Sequence, residues 1–404
     1  MPRVVVTGIG VVSPLGLNAP DYLSALAEGR CGIGPPTIAR AEVLNTKVVA
    51  QVAHFDPESY LSDREVAWLD RVSQFAVVAA REAVGQSGLT FDGALGERTA
   101  AIIGTGVGGH TTLDESFYHI YAEGARRLPP LTVPRVMVSA PSSHVSMQFG
   151  IRGPVFSIAS ACSSATHAIG LAFHMLRSGT LDCAVAGGTE ACITFGTLRA
   201  WEALRIMAPD TCRPFSRDRQ GFVLGEGAGI VVLESLEHAR ARGAVILGEI
   251  VGFGMSADAR ELLTPDEHGA ARAMTAALTD ARLNAEDIDY VNAHGTGTVV
   301  NDVVETAAIK RSLGVHASTV AISSTKSMIG HALGAAGALE LVATLNAVAT
   351  GVVPPTIGYL GPDPACDLDY VPNIARQLTV RAALSNSFAF GGLNAVLAVR
   401  RFDA

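Results

Sequence analysis

Nine residues near the start of the chain, Val4–Val12 (VVVTGIGVV), constrain the fold more than any other stretch. They are apolar, rich in β-branched side chains and punctuated by glycine, which is the pattern of a buried strand. The pattern returns at Thr99–Ile103, Phe156–Ala161, Cys183–Gly187 and Ala228–Leu233, with helical periodicity between at Leu69–Gly85 and Cys162–Arg177. A second set begins at Glu249 with a strand to Gly254 and a helix over Ala270–Leu283. Strands at Tyr290–Ala293 and Val320–Ser323 follow, then a small-residue helix at Gly334–Thr350 and closing strands around Ala382–Ser385 and Ala395–Arg400. Strands alternating with helices imply α/β layers. Each set carries a strand that ends on a reactive residue, a faint sign of internal duplication. The polar, proline-bearing stretch Glu115–Pro134 is expected to be a mobile insert.

Composition narrows the function. The chain is 49% hydrophobic and 17% charged, enough apolar material for a large core. A net charge of −8 argues against nucleic acid as a partner, because phosphate contacts need clustered Lys and Arg. No run of about 20 apolar residues lacks glycine or polar interruption, so neither a membrane span nor a signal peptide is expected, and the reading is cytoplasmic. The cysteines at 31, 162, 183, 192, 212 and 366 show no CxxC pair and no ligand spacing with His, so no zinc site is expected. Most read as small core residues.

Cys162 stands apart. In SIASACSSATHAIG (Ser157–Gly170) a strand ends, small residues allow a tight turn, and the cysteine falls at the start of a helix. Free amide N–H groups and the positive end of the helix dipole favour a thiolate there. A buried core thiol competes with that reading on position alone. NAHGTGT (Asn292–Thr298) puts His294 between a strand and a Gly/Thr turn, and STKSMIGHALGAAGALE (Ser324–Glu340) holds Lys326 and His331 beside a small-residue helix. Each histidine alone reads more readily as structural. SNSFAFGGLNA (Ser385–Ala395) is a Gly-rich loop whose backbone can approach a ligand closely.

These four segments, in this order, together with VVVTGIGVVSPLG and PFSRDRQGFVLGEGAG (Pro214–Gly229), resemble the elongating β-ketoacyl-ACP synthases of fatty-acid and bacterial polyketide synthesis. The resemblance covers essentially the whole chain. It implies a thiolase fold, two duplicated α/β halves (residues 1–247 and 248–404) in a five-layered αβαβα arrangement, acting as a dimer. It implies Cys162 as the nucleophile that takes an acyl group from an acyl carrier protein, with the amides of Cys162 and Phe390 as oxyanion hole. His294 and His331 then promote decarboxylation of malonyl-ACP and hold the enolate oxygen. Lys326 supports them near His331 and Glu340, with Phe222 beside the site. Thr296 and Thr298 match positions that bind the phosphopantetheine arm, so substrates arrive on the carrier and no cofactor is required. Asn292, Glu340, Ser385 and Asn386 match a structural monovalent-cation site of some relatives. Val107, Phe195 and Trp201 fall where the family lines its acyl tunnel. Arg64, Arg126, Arg127, Arg135 and Arg205 are the candidates for carrier docking, a thin set for an acidic carrier. The partner chain is either an identical copy or a chain-length factor.

The chain departs from the family in places. Ala389 stands where the gating loop usually has Gly, which is expected to restrict positive φ and stiffen the gate beside Phe390. Leu393 replaces the usual Thr. NDVVE (Asn301–Glu305) and DRVSQFAV (Asp70–Val77) lean towards type II polyketide ketosynthases, polyene systems included, whereas GTGVGG and SNSFAFGG lean towards a fatty-acid-elongating homodimer. GTGVGG also satisfies a nominal dinucleotide fingerprint, but no acidic residue closes the next strand. A silent chain-length partner would have lost Cys162. A thiolase proper would want a second cysteine in a C-terminal Gly-rich loop, and Cys366 in PDPACDLDY does not fit.

Overall fold

The structure, a computed structural model, describes residues 2–403. Its strands are β1 (Val4–Val12), β2 (Thr99–Gly104), β3 (Val155–Ile158), β4 (Cys183–Glu190), β5 (Gly227–Ser235) and β6 (Gly248–Ala257), followed by β7 (Tyr290–Asn292), β8 (Ala321–Ser323), β9 (Val352–Val353), β10 (Arg376–Gln377), β11 (Ala382–Ala389) and β12 (Leu393–Arg400). β9 and β10 form a small ribbon, and the others run in the order β3-β2-β4-β5-β1-β6-β12-β11-β7-β8.

That order is one pattern written twice. β2 lies parallel to β3 and β4, β4 antiparallel to β5, and β5 antiparallel to β1. Replacing these by β7, β8, β11, β12 and β6 reproduces every neighbour and every direction. The halves join where β1 pairs antiparallel with β6 at Val4–Val6 and Gly248–Ile250. Helix Arg71–Ser87 covers β1 and β5 on one outer face, and helix Glu267–Ala281 covers β6 and β12 on the other. Helices Ser164–Arg177 and Ala336–Thr350 pack against each other between the halves. The result is the five-layered, thiolase-like α/β arrangement.

The outer helices can sit so close because the strands beneath them carry paired glycines. A Cβ on Gly8 or Gly10 would lie 2.0 or 1.9 Å from the carbonyl oxygens of Ala83 or Ala79. On Gly252 or Gly254 it would lie 2.4 or 2.1 Å from those of Ala277 or Ala273. The central helix has a different explanation. Leu333–Thr350 is apolar and long enough to cross a membrane by composition, but 83% of it is buried in the protein. Its apolarity is that of a core element covered by strands on two sides.

The helix expected at Leu69–Gly85 runs instead from Arg71 to Ser87, because the Asp70 carboxylate accepts the Val72 amide at 2.9 Å and Gly88 closes the last turn at φ 69°. Half of the expected mobile insert is helical: His110–Tyr121 is a helix and Thr132–Val136 a short second one. Ser385–Ala389, read as part of a loop, belongs to β11, and the Gly-rich turn begins only at Phe390. Helix Val299–Leu313 escaped the periodicity reading because its buried face carries Asp302, Glu305 and Thr306 among the apolar residues.

Candidate functional site

The end of β3 leads into a tight 3₁₀ turn, Ala161–Ser163, that opens helix Ser164–Arg177. Serine hydroxyls hold this turn. Ser164 Oγ donates to the Ala161 carbonyl at 2.7 Å and accepts the Ser160 amide at 2.9 Å, and Ser163 Oγ donates to the Ser160 carbonyl at 2.8 Å. Cys162 sits at its centre, 6% exposed. Its own amide and that of Phe390 are both directed at the sulfur. Burial pushes the thiol up to about 11, against the opposing pull of the Lys326 charge and the two amides. The thiolate-favouring position expected from the helix start is therefore outweighed in the resting state.

His294 follows β7, where the carboxylate of Glu305 accepts the His294 and Gly295 amides at 2.8 and 2.7 Å and the Asn386 side chain at 3.1 Å. Asp302 accepts the amides of Gly297 at 3.2 Å and Phe215 at 2.7 Å. The first turns of helix Val299–Leu313 thus carry two buried carboxylates that hold the histidine loop. Burial raises both groups, Asp302 to about 6 and Glu305 to about 7.

Lys326 is fully buried and ion-paired to Glu340, and its Nζ lies 3.3 Å from His294 Nδ1. An ammonium can only donate, so His294 Nδ1 accepts and the ring proton is assigned to Nε2. His331 packs edge-on to His294 with ring centroids 5.2 Å apart, and to Phe222 at 5.9 Å. Neither ring nitrogen of His331 has a hydrogen-bond partner. Burial first, and the Lys326 charge second, hold both imidazoles well below their ordinary range, so both are neutral. One ligand-type atom from each of Cys162, His294 and His331 lies within 4.8 Å of the others.

These groups line the floor of a cavity of about 350 Å³. Thr296 and Thr298 stand on its wall with hydroxyls 3.0 Å apart, and Thr298 also caps the helix behind it. Trp201, Phe222, Ala389 and Phe390 form the apolar side, with Trp201 tilted against Phe390 at 6.1 Å. Leu204, Leu262, Leu263, Val299 and Val300 are exposed at the rim. Of the five arginines singled out for docking, only Arg205 lines this opening. Arg64 stacks on Trp68, Arg126 and Arg127 are exposed beyond helix His110–Tyr121, and Arg135 is half-buried. Val107 and Phe195 pack with Cys162, Leu198, Leu333 and Ala389 in one apolar cluster without reaching the cavity.

Ala389 corrects the expectation placed on it. It is the last residue of β11, and the left-handed turn conformation falls on Gly391 (φ 81°) and Gly392 (φ 67°). The Ala389 Cβ costs nothing in this conformation. Nearby, Asn292 Oδ1, Glu340 Oε2, Ser385 Oγ and Asn386 Oδ1 are all buried without a hydrogen-bond partner. Such hard, partly anionic oxygens fit a small cation. Glu305 and Asp302 were not foreseen as site residues, although acidic residues set among apolar ones (NDVVE) were the available signal.

A family model described as "Beta-ketoacyl synthase, N-terminal domain" matches residues 1–239, and "Beta-ketoacyl synthase, C-terminal domain" matches residues 247–360. The chain is 51% identical to "Nodulation protein E" of Rhizobium sp. (strain N33), over 99% of each chain. It is 43% identical to "3-oxoacyl-[acyl-carrier-protein] synthase 2" of Synechocystis sp., over 99% of this chain and 98% of that one. Among solved structures, the ishigamide ketosynthase/chain length factor superposes with a TM-score of 0.95 at 37% identity, over 100% of both chains. A type II PKS acyl-carrier protein in complex with its ketosynthase, bound to the hexaketide, gives 0.90 at 32%, over 99% of this chain and 100% of that one.

Proposed function

Since the chain belongs to the β-ketoacyl synthase family of acyl-transferring condensing enzymes, we propose that it joins an acyl group held on Cys162 to malonyl-ACP by decarboxylative Claisen condensation. The observation that carries this reading is the meeting of one buried thiol, two neutral imidazoles and two converging amides on the floor of one cavity.

In the first half-reaction the Cys162 sulfur attacks the acyl thioester carbonyl. The amides of Cys162 and Phe390 receive the oxyanion, and the carrier thiol leaves with the proton the cysteine gave up. A thiol held up by burial needs a nearby acceptor for that proton, and neutral His331, both nitrogens unbonded, supplies one. In the second, malonyl thioester loses CO₂ and the electron pair passes into a thioester enolate. His294, whose Nε2–H is fixed by Lys326 at Nδ1, donates to the enolate oxygen, and His331 flanks it. The enolate carbon then attacks the acyl-Cys162 carbonyl, a carbon–carbon bond forms, and the sulfur leaves as a thiolate that takes a proton from solvent. Thr296 and Thr298 hold the pantetheine arm that delivers both substrates, and the chemistry calls for no redox cofactor. Asn292, Glu340, Ser385 and Asn386 would hold a monovalent cation that balances charge behind Lys326.

For pathway, we place the chain as the ketosynthase subunit of a type II polyketide system, polyene-forming systems included, with a chain-length factor as partner. The likeness to the ishigamide pair and the NDVVE turn support this. β3 is a sheet-edge strand whose outer side is open to a partner. A fatty-acid-elongating homodimer is the second reading, favoured by the 43% identity to 3-oxoacyl-[acyl-carrier-protein] synthase 2.

Acyl-ACP incubated with the purified protein should add one acyl mass to the peptide bearing Cys162. Malonyl-ACP should then discharge it as a β-ketoacyl product. Acylation that persists in Cys162→Ala would overturn the assignment. Native mass of the chain purified with its genomic neighbours separates the pathways: a required heteropartner supports the polyketide reading and a self-sufficient homodimer the other.

A further inference from the structure

Behind Cys162 lies a buried carboxylate that the mechanism above does not use. Glu190, the last residue of β4, is 0% exposed, and its hydrogen-bond partners among the described residues are four neutral donors. Its Oε1 accepts Thr105 Oγ1 at 3.0 Å and the Val107 amide at 3.4 Å. Its Oε2 accepts the amides of Gly106 at 2.7 Å and Gly334 at 2.9 Å. The first three belong to the loop after β2 in the N-terminal half. Gly334 belongs to the turn that opens helix Ala336–Thr350 in the C-terminal half.

The duplication gives this contact its meaning. Ala161–Ser163 and Leu333–Ala335 are matching 3₁₀ turns, each opening a central helix and each starting on a left-handed residue, Ala161 at φ 50° and Leu333 at φ 42°. Gly334 therefore stands in the second half where Cys162 stands in the first. One helix start presents the thiol, and the matching one is closed by a carboxylate. A Cβ on Gly334 would meet the Gly106 nitrogen at 2.3 Å and Glu190 Oε2 at 2.7 Å, and one on Gly106 would meet Oε2 at 2.7 Å.

We propose that Glu190 is a positioning residue for Cys162: it ties the Thr105–Val107 loop to the turn that opens helix Ala336–Thr350, and Val107 and Leu333 of these two segments pack in one apolar cluster with the thiol. The Glu190 charge acts on Cys162 behind burial, Lys326 and the two amides, and on Cys192, two residues beyond Glu190, behind burial. The other ionisable groups facing these sulfurs are Lys326 and the neutral His294 and His331 beside Cys162, and Glu226 beside Cys192. Glu190 is itself pushed up to about 7 by burial against the pull of its four donors, so its charge appears across neutral pH.

The inference rests on Cys162 being the nucleophile, and one experiment separates the two claims. Iodoacetamide alkylation of Cys162 is followed by intact mass from pH 6 to pH 9 in the parent and in Glu190→Gln, with melting temperature recorded for each. The variant-to-parent rate ratio should rise through about pH 7, where Glu190 ionises, to roughly threefold or more at the alkaline end. A merely structural role would scale the rate equally at every pH. Thr105→Val, a milder change, removes one donor, delays ionisation of Glu190 and should raise the ratio only in a window just above pH 7, which keeps the test open if the Gln variant does not fold. A flat ratio in both variants overturns the role of Glu190 and leaves the nucleophile intact. No alkylation of Cys162 at any pH in the parent overturns the nucleophile itself.

Discussion

The two halves share strand order, strand direction and even the glycine pairs under their outer helices, yet they carry different chemistry. In the first half the turn after β3 bears Cys162, and the strand end at β4 bears a carboxylate that touches no substrate cavity. In the second half the strand end at β7 leads to His294, and the segment after β8 supplies Lys326 and His331. The nucleophile and the groups that stabilise the enolate thus come from equivalent ends of one repeated unit. Their meeting depends on the packing of the two central helices. A duplicated scaffold offers two sets of strand ends facing each other, so one can be specialised for acyl transfer and the other for decarboxylation.

The largest expected effect tests that division. Cys162→Ala should lower condensation by more than about 10³-fold while leaving malonyl decarboxylation, and His294→Ala should lower decarboxylation by roughly 10²-fold or more while leaving acyl loading. Radiolabelled CO₂ release and intact mass read the two separately, and loss of both reactions in both variants would break the division. Because both imidazoles are held well below their ordinary range, they stay neutral as pH falls through the usual histidine region. Decarboxylation should therefore show no inflection near pH ~6.5, as far down as the fold survives.

Next in size is the Lys326–Glu340 pair of the second half, both partners of which are fully buried. Glu340→Leu leaves the Lys326 ammonium buried without its partner, which should cost about 3–5 kcal/mol and lower the melting temperature in calorimetry. An unchanged melting temperature would mean Lys326 finds another anion. Smaller still, Gly10→Ala and Gly254→Ala should each destabilise by about 1–3 kcal/mol, since each Cβ meets a carbonyl of its outer helix at 1.9 and 2.1 Å. Denaturant midpoints that differ widely between the two would show that the halves are held together by different contacts. The smallest effect belongs to Ala389→Gly. With Ala389 in ordinary strand conformation, acyl-transfer rate should change by no more than about threefold, and a larger change would show that gate opening rotates this residue.

The sequence by itself determined the layers and the reactive residues. Val4–Val12 and its counterparts could only be buried strands, and Cys162, His294, Lys326 and His331 sit at strand ends and helix starts that local pattern can locate. Family likeness added their roles. The acidic supports stayed hidden, because Asp302 and Glu305 look polar on paper and become buried only when the loop 294–297 folds over them. The ionisation of Cys162 was likewise decided in three dimensions. Its helix start favours a thiolate locally, but burial by both halves raises the thiol, and only the assembled site sets which effect is larger. The contact from Glu190 to Gly334 spans 144 positions of chain, a separation at which no local pattern can register a hydrogen bond.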